Sequence, residues 1–216
     1  MKIDLAVFDM AGTTIDEGQH VYRILSETSV AHGGPADVDQ WHGAAKHEAL
    51  GALLNLAPGD EKLELVVADF RARLAAAYAE FPPKPLPGVP DALAALRAAG
   101  VRVALSTGFD REIVGSLLPA LGWDDSVVDV VVCGSDVPAG RPAPYMIFRA
   151  METLGVTDVS RVLVAGDTPR DLRSGRNAGA GFVVGVLSGA GTVAELGAER
   201  HTHLLPSVAE VPGLVA

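Results

Sequence analysis

The sequence predicts an α/β fold built on a doubly wound parallel sheet and interrupted by one helical insert. Three observations carry this expectation: short β-branched runs alternate with helix-period segments closed by glycine, a long strand-free stretch follows the first run, and a proline-rich segment ends that stretch.

In chain order, the runs that read as strands are Ile3 to Phe8, Val101 to Ser106, Val127 to Cys133, Arg161 to Ala165 and Gly181 to Val186. Between them, helical patterns cover Asp91 to Ala99, Arg111 to Leu121, Pro144 to Leu154 and Pro169 to Ala178, with Gly100, Gly122, Gly155 and Gly179 as stops. Such alternation gives a Rossmann-like sheet with helices on both faces. From Glu17 to Phe81 there are only Ala- and Leu-rich helical stretches, and Pro82, Pro83, Pro85, Pro87 and Gly88 then supply a stiff hinge. The predicted organisation is a core of residues 1–16 and 82–216 with a helical cap, residues 17–81, above the carboxyl ends of the strands, where open α/β sheets bind ligands.

Composition narrows the function classes. The 216 residues carry 27 acidic and 17 basic side chains, a formal net charge of −10, which argues against a nucleic-acid partner because that binding is driven by clustered Lys and Arg. No run reaches the ~18 uncharged apolar residues of a membrane span, and Asp4 and Asp9 interrupt any leader-like core, so a soluble, cytoplasmic protein without a membrane partner is expected. The single Cys133 lies in a valine run and reads as a buried structural thiol. The insert helices offer a surface for a homodimer.

The chemistry gathers at predicted strand ends. Asp9 follows an apolar strand and precedes Gly12, Thr13 and Thr14, a turn whose amides and hydroxyls can hold a phosphate. Thr107 and Gly108 end the second strand, and Gly166, Asp167 and then Asp171 end the fourth. Carboxylates converging without Cys or His make a hard, oxygen-only site that favours magnesium over zinc. Arg141, before a predicted helix, supplies a cation able to neutralise carboxylate and phosphoryl oxygens together. Each residue alone has an ordinary structural explanation, such as a helix cap; the ordered set does not.

That set resembles the haloacid dehalogenase-like hydrolases, whose four motifs are matched by Asp9, Thr107, Arg141 and the Gly166 to Asp171 stretch. The resemblance implies that Asp9 attacks phosphorus to form an aspartyl phosphate, that Thr107 and Arg141 hold the phosphoryl oxygens, and that Mg²⁺ lies at Asp9, Asp167 and Asp171, with Ala11 counted in the metal site. Phosphatases of this type commonly carry a second Asp, a general acid, two residues after the nucleophile; here that residue is Ala11. Asp-Met-Ala-Gly-Thr-Thr at 9–14, together with Arg141, resembles the phosphonatase (phosphonoacetaldehyde hydrolase) branch, which cleaves a carbon–phosphorus bond by forming an imine on a cap lysine.

The cap lysine of that pattern is Lys46, preceded by His42 and Gly43. At about 100° per residue, Ala49, Leu50, Leu53 and Ala57 lie within roughly 60° of it, so its amine starts from an apolar stripe. Desolvation there lowers the pKa, as an amine nucleophile requires, although a stem that covers apolar surface while its head reaches water satisfies the same pattern. Phosphonatases usually carry Met before this glycine and His three residues after the lysine, where this chain has His42 and Ala49; His42 and His47 are the available substitutes, with His47 turned roughly 100° from Lys46 around the helix. The expected substrate contacts are Gly12, Thr13, Gly108, Gly43, His42 and His47. Phe109 suits the pocket or the core equally, His20 and His32 are expected to be exposed on the first insert helix, with His20 near the Asp9 loop, and His201 and His203 share a strand face without the ligands of a metal site. The reading is a magnesium-dependent hydrolase of a small phosphonate or phosphorylated aldehyde. Its rivals are a phosphomonoester phosphatase of the same fold and a non-catalytic binder of phosphorylated ligands.

Overall fold

The computed structural model describes residues 2–215. Its first strand, β1 (Leu5–Phe8), is buried along its whole length, and its side chains alternate between two apolar clusters, Ala6 and Phe8 on one face and Leu5 and Val7 on the other. A short strand, β2 (Ile15–Asp16), then leads into α1 (His20–Ala31), α2 (Lys46–Leu54) and α3 (Glu61–Glu80). The proline-rich return is not merely stiff chain: its β3 (Lys84–Pro85) pairs antiparallel with β2, so both connections of the helical segment run side by side as a ribbon.

The remainder alternates as the sequence predicts: α4 (Val89–Ala98), β4 (Arg102–Thr107), α5 (Arg111–Leu121), β5 (Val130–Cys133), α6 (Tyr145–Leu154), β6 (Val162–Gly166), α7 (Pro169–Ala178), β7 (Phe182–Val186), α8 (Val193–Ala198) and β8 (His203–Leu205). The predicted glycine stops at Gly122, Gly155 and Gly179 take left-handed φ values of 68°, 67° and 79° at the ends of α5, α6 and α7. Val127 and Val128 fall outside β5 because their amides close a turn on the Asp124 carbonyl. The six strands form one parallel sheet in the order β5-β4-β1-β6-β7-β8, with α4 and α5 packed on one face and α6 on the other.

Strand β1 is central, between β4 and β6, so the carboxyl ends carrying Asp9, Thr107 and Asp167 are neighbours. The sixth strand went unread in the sequence because it is three residues long at the sheet edge. His203 opens it and contacts Thr202 Oγ1, while His201 lies before the strand and bonds to Glu199 O, so the two do not share a strand face. His20 and His32 are half-buried rather than exposed: His20 stacks on Phe81 at 5.7 Å between ring centres, and His32 pairs with Asp69 at 2.9 Å. Cys133 is fully buried as expected, and burial pushes its thiol up to about 11.

One continuous apolar cluster runs from Phe8 and Leu105 through Ile24 and Leu25 to Phe70 and Leu74 of α3. Phe70→Ala is therefore expected to lower global stability by about 3–5 kcal/mol in equilibrium urea unfolding. A loss below about 1 kcal/mol would show that the helical segment does not unfold with the sheet.

Candidate active site

The site is assembled around a buried guanidinium. Arg141 donates from Nη2 to Asp9 Oδ1 (2.6 Å) and to the Ser106 carbonyl (2.7 Å), and its Nη1 forms an ion pair with Asp171 Oδ1 (2.7 Å). Asp9 stands one residue beyond β1, its amide bonded to the Ala165 carbonyl at 3.0 Å. Asp171 is fixed as the N3 residue of a capping box: its Oδ2 accepts from the Thr168 amide (3.0 Å) and hydroxyl (2.5 Å) at the start of α7. The Arg141 loop is pinned by the same helix. Arg170, Ser174 and Asn177, on one face of α7, donate to the carbonyls of Arg141 (3.0 Å), Ala143 (3.0 Å) and Pro142 (2.9 Å). This polar i, i+4, i+7 stripe is visible in the sequence, but it acquires meaning only once the loop it meets is known.

Asp167 accepts from the Thr13 hydroxyl (2.9 Å) and the Ala190 amide (2.7 Å). Thr13 and Thr14 are thereby corrected as open phosphate donors: Thr13 braces Asp167, and the Thr14 hydroxyl turns back to the Asp9 and Met10 carbonyls. Gly12, at φ 78°, lies so close to Asp167 that a Cβ there would meet its Oδ2 at 2.7 Å. Thr107 is buried, its hydroxyl accepting from the Phe109 amide, and Phe109 serves both the core and the pocket wall.

The helical segment contributes Lys46, the first residue of α2. A side chain there leans toward the helix start, and Lys46 Nζ reaches back to the Ala44 carbonyl (2.9 Å), 4.8 Å from the centre of the Tyr22 ring. The Lys46 amide bonds to the Gly108 carbonyl (3.4 Å), and a Cβ on Gly108 would lie 2.5 Å from Ala44 O, so glycine is what permits this approach. The sequence placed Lys46 on an apolar stripe reaching Ala57. The helix in fact ends at Leu54, where Asn55 turns left-handed, and Lys46 is buried because it opens the helix against the sheet.

His42 stacks edge-on against Tyr22 at 3.9 Å, and burial lowers its pKa. Gly43 donates its amide to the Tyr22 hydroxyl (2.9 Å). His47 instead pairs with Glu64 at 3.0 Å and lies outside the pocket around Asp9. Tyr22, Ser106, Thr168 and the α7 stripe were not singled out by the sequence reading.

The space enclosed by Asp9, Ala11, Lys46, Thr107, Arg141 and Tyr22 measures about 20 Å³, room for roughly one water. Larger cavities adjoin it, about 920 Å³ on the Gly108 and Arg71 side and about 660 Å³ on the Gly12 and His42 side.

Burial raises the Asp9 carboxyl pKa; Arg141 opposes this and the charge of Asp171 adds to it. Asp167 is raised by burial and by the charges of Asp9 and Asp171. Ligand oxygens of these three buried carboxylates lie within 4.8 Å of one another, with Arg141 as the cation directly bonded among them. Three buried carboxylates offering only oxygen donors, with Asp9 and Asp167 held up in pKa by burial, fit a hard divalent cation. Burial likewise lowers Lys46, to about 8, although the charge of Asp9 works the other way.

The fold and this site define a class: the chain belongs to the haloacid dehalogenase-like hydrolases, whose family profile matches residues 3–179. Within that class it lies close to the phosphonoacetaldehyde hydrolases. It is 32% identical to that enzyme of Bacteroides fragilis over 100% of this chain and 86% of that protein, and 30% identical to that of Paraburkholderia phytofirmans over 87% of this chain and 76% of that protein. A hydrolase structure from Pseudomonas syringae shares the fold, with a TM-score of 0.84 at 21% identity, covering 98% of this chain and 97% of that one.

The buried lysine gives a test independent of turnover. Its folded-state pKa lies below the ordinary 10.5, so between about 8 and 10.5 the unfolded chain binds more protons at this group, and its contribution to stability rises with pH. Lys46→Met, which removes the charge, should exceed the parent most at pH 7, and the gap should close by on the order of 3 kcal/mol as pH rises toward 10. A pH-independent gap in urea unfolding would show that Lys46 ionises as it does in water.

Proposed function

We propose that this hydrolase cleaves the carbon–phosphorus bond of a small phosphonate aldehyde such as phosphonoacetaldehyde, with Asp9 as nucleophile and Lys46 as the imine-forming amine. The observation that carries the reading is the buried Lys46, held down to about 8. It shares the pocket of Asp9 in a chain that has Ala11 where ester-cleaving relatives keep an acid. The curated relatives named above are phosphonoacetaldehyde hydrolases, which supports the same chemistry.

The neutral Lys46 amine adds to the aldehyde carbon, and loss of water leaves a protonated imine. Asp9 then attacks phosphorus. The electrons of the breaking carbon–phosphorus bond pass into the imine, giving an enamine and an aspartyl phosphate. Because the carbon leaves as an enamine rather than an alkoxide, no proton donor is required at position 11. Water hydrolyses the aspartyl phosphate, the enamine carbon takes up a proton, and hydrolysis of the resulting imine frees Lys46 and the dephosphorylated aldehyde. Throughout, Arg141 offsets charge on Asp9 and the phosphoryl oxygens, Thr107 and Gly108 hold the phosphoryl group, and Gly12, Gly43 and His42 border the substrate. Asp9, Asp167, Asp171 and the main-chain carbonyl of Ala11 would hold Mg²⁺, which when bound screens the repulsion between carboxylate and phosphoryl group.

Residues 17–81 act in this reading as a mobile cap over the core of residues 1–16 and 82–216. The support is the pocket's small size, about 20 Å³, which a substrate fits only if Lys46 and Asp9 separate.

Incubation with phosphonoacetaldehyde and borohydride should leave a secondary amine on Lys46, mapped by mass spectrometry. Lys46→Arg should abolish both adduct and phosphate release, because a guanidinium is effectively never deprotonated. Release of phosphate from esters with no adduct in the parent would assign a phosphatase instead. Asp9→Asn should lose turnover by at least a hundredfold while keeping the adduct. Chelation should silence phosphate release and added Mg²⁺ restore it; turnover indifferent to chelation would remove the metal from the mechanism.

A further inference from the structure

Imine formation needs a proton that neither Asp9 nor Ala11 supplies, since the carbinolamine oxygen must leave as water. Tyr22 lies where that proton is needed. Its ring sits beneath Lys46, with Nζ 4.8 Å from the ring centre, and it borders the pocket that holds Asp9 and Lys46. The Gly43 amide donates to its oxygen at 2.9 Å. Among the described residues nothing accepts the hydroxyl's own proton. The packing is also fixed: His42 lies edge-on against the ring at 3.9 Å. A half-buried phenol whose oxygen already accepts a backbone amide, and whose proton has no acceptor among the described residues, can give that proton to a bound group.

Resting on the imine reading, we infer that Tyr22 is a further catalytic residue, the general acid of carbinolamine dehydration at Lys46. The carbinolamine oxygen is two bonds from Nζ and is carried toward the phenol edge. As its bond to carbon breaks, it takes the Tyr22 proton and leaves as water; the nitrogen lone pair forms the protonated imine, and Tyr22 is left as phenolate. The Gly43 amide and the cationic imine stabilise that phenolate. In the second half of the cycle water adds to the product imine, the phenolate takes a proton from that water, and Tyr22 is restored, so no external acid is consumed. Desolvation first, and then the charges of Asp167, Asp9 and Asp171, push the phenol pKa up, against the Gly43 amide, so the free phenol keeps its proton before substrate binds.

Tyr22→Phe retains the ring beneath Lys46 and removes only the hydroxyl. The experiment is a rapid-mixing measurement of borohydride-trapped adduct on the full chain with phosphonoacetaldehyde, comparing the parent with this variant and checking both thermal midpoints. The expected result is adduct on Lys46 in both, formed about a hundredfold more slowly in Tyr22→Phe, with imidazolium buffer restoring part of the rate in proportion to its concentration. A structural role alone would not be rescued by a diffusible acid. Equal rates in the two proteins, or a slow variant indifferent to buffer, would overturn the assignment of Tyr22 and leave the role of Lys46 standing. Absence of adduct in the parent would overturn the imine reading itself, and the role of Tyr22 with it.

Discussion

The bridge that Arg141 makes between Asp9 and Asp171 is the constraint on which the site depends. A guanidinium buried to 3% exposure is costly to desolvate, and two carboxylates at 2.6 and 2.7 Å repay that cost only if all three groups are held in place. Each is held by a different part of the fold: Asp9 by the central strand, Asp171 by the cap of α7, and Arg141 by a loop whose successive carbonyls are tied to the side of that same helix. The parallel sheet supplies the common frame, because strands running in one direction bring their ends to one edge.

The electrostatics of the pocket follow from this frame. Asp9, Asp167 and Asp171 face one bonded guanidinium, and burial makes that imbalance expensive, which is why Asp9 and Asp167 resist ionisation. Lys46 responds to burial in the opposite sense and loses its proton more easily. A carboxylate and an amine therefore share one small pocket, and burial shifts the pKa of each toward its neutral form.

Much of this was legible in the sequence, for reasons that differ by element. The strands β1, β4 and β6 were readable because strands buried on both faces are continuous apolar runs, and the glycine stops of α5, α6 and α7 because the left-handed conformation leaves few alternatives. Asp9, Asp167 and Asp171 could be found because they lie just beyond such strands, and Arg141 because it stands alone as a cation just before a helix. Tyr22 could not. Its place at the pocket depends on a stacking partner in another loop and a lysine on another helix, contacts that no local period encodes. The errors have the same origin. Thr13 and Thr14 look like open hydroxyls until Asp167 and the Asp9 carbonyl are brought beside them; His47, turned about 100° from Lys46 around the helix, meets Glu64 of α3 as that angle allows.

The ribbon of β2 and β3 has a consequence for how such a molecule is put together. Asp16 and Lys84 face each other as registered partners, so the whole helical excursion leaves and rejoins the sheet domain at a single point. A tight hairpin turn could span that point, which means the order of the strands owes nothing to what lies between the two residues. The segment that brings Lys46 to the pocket is in topological terms a replaceable loop. The sheet edge that carries Asp9 and the helical segment that carries Lys46 can thus change independently, with the apolar seam between them as the feature that must be matched anew.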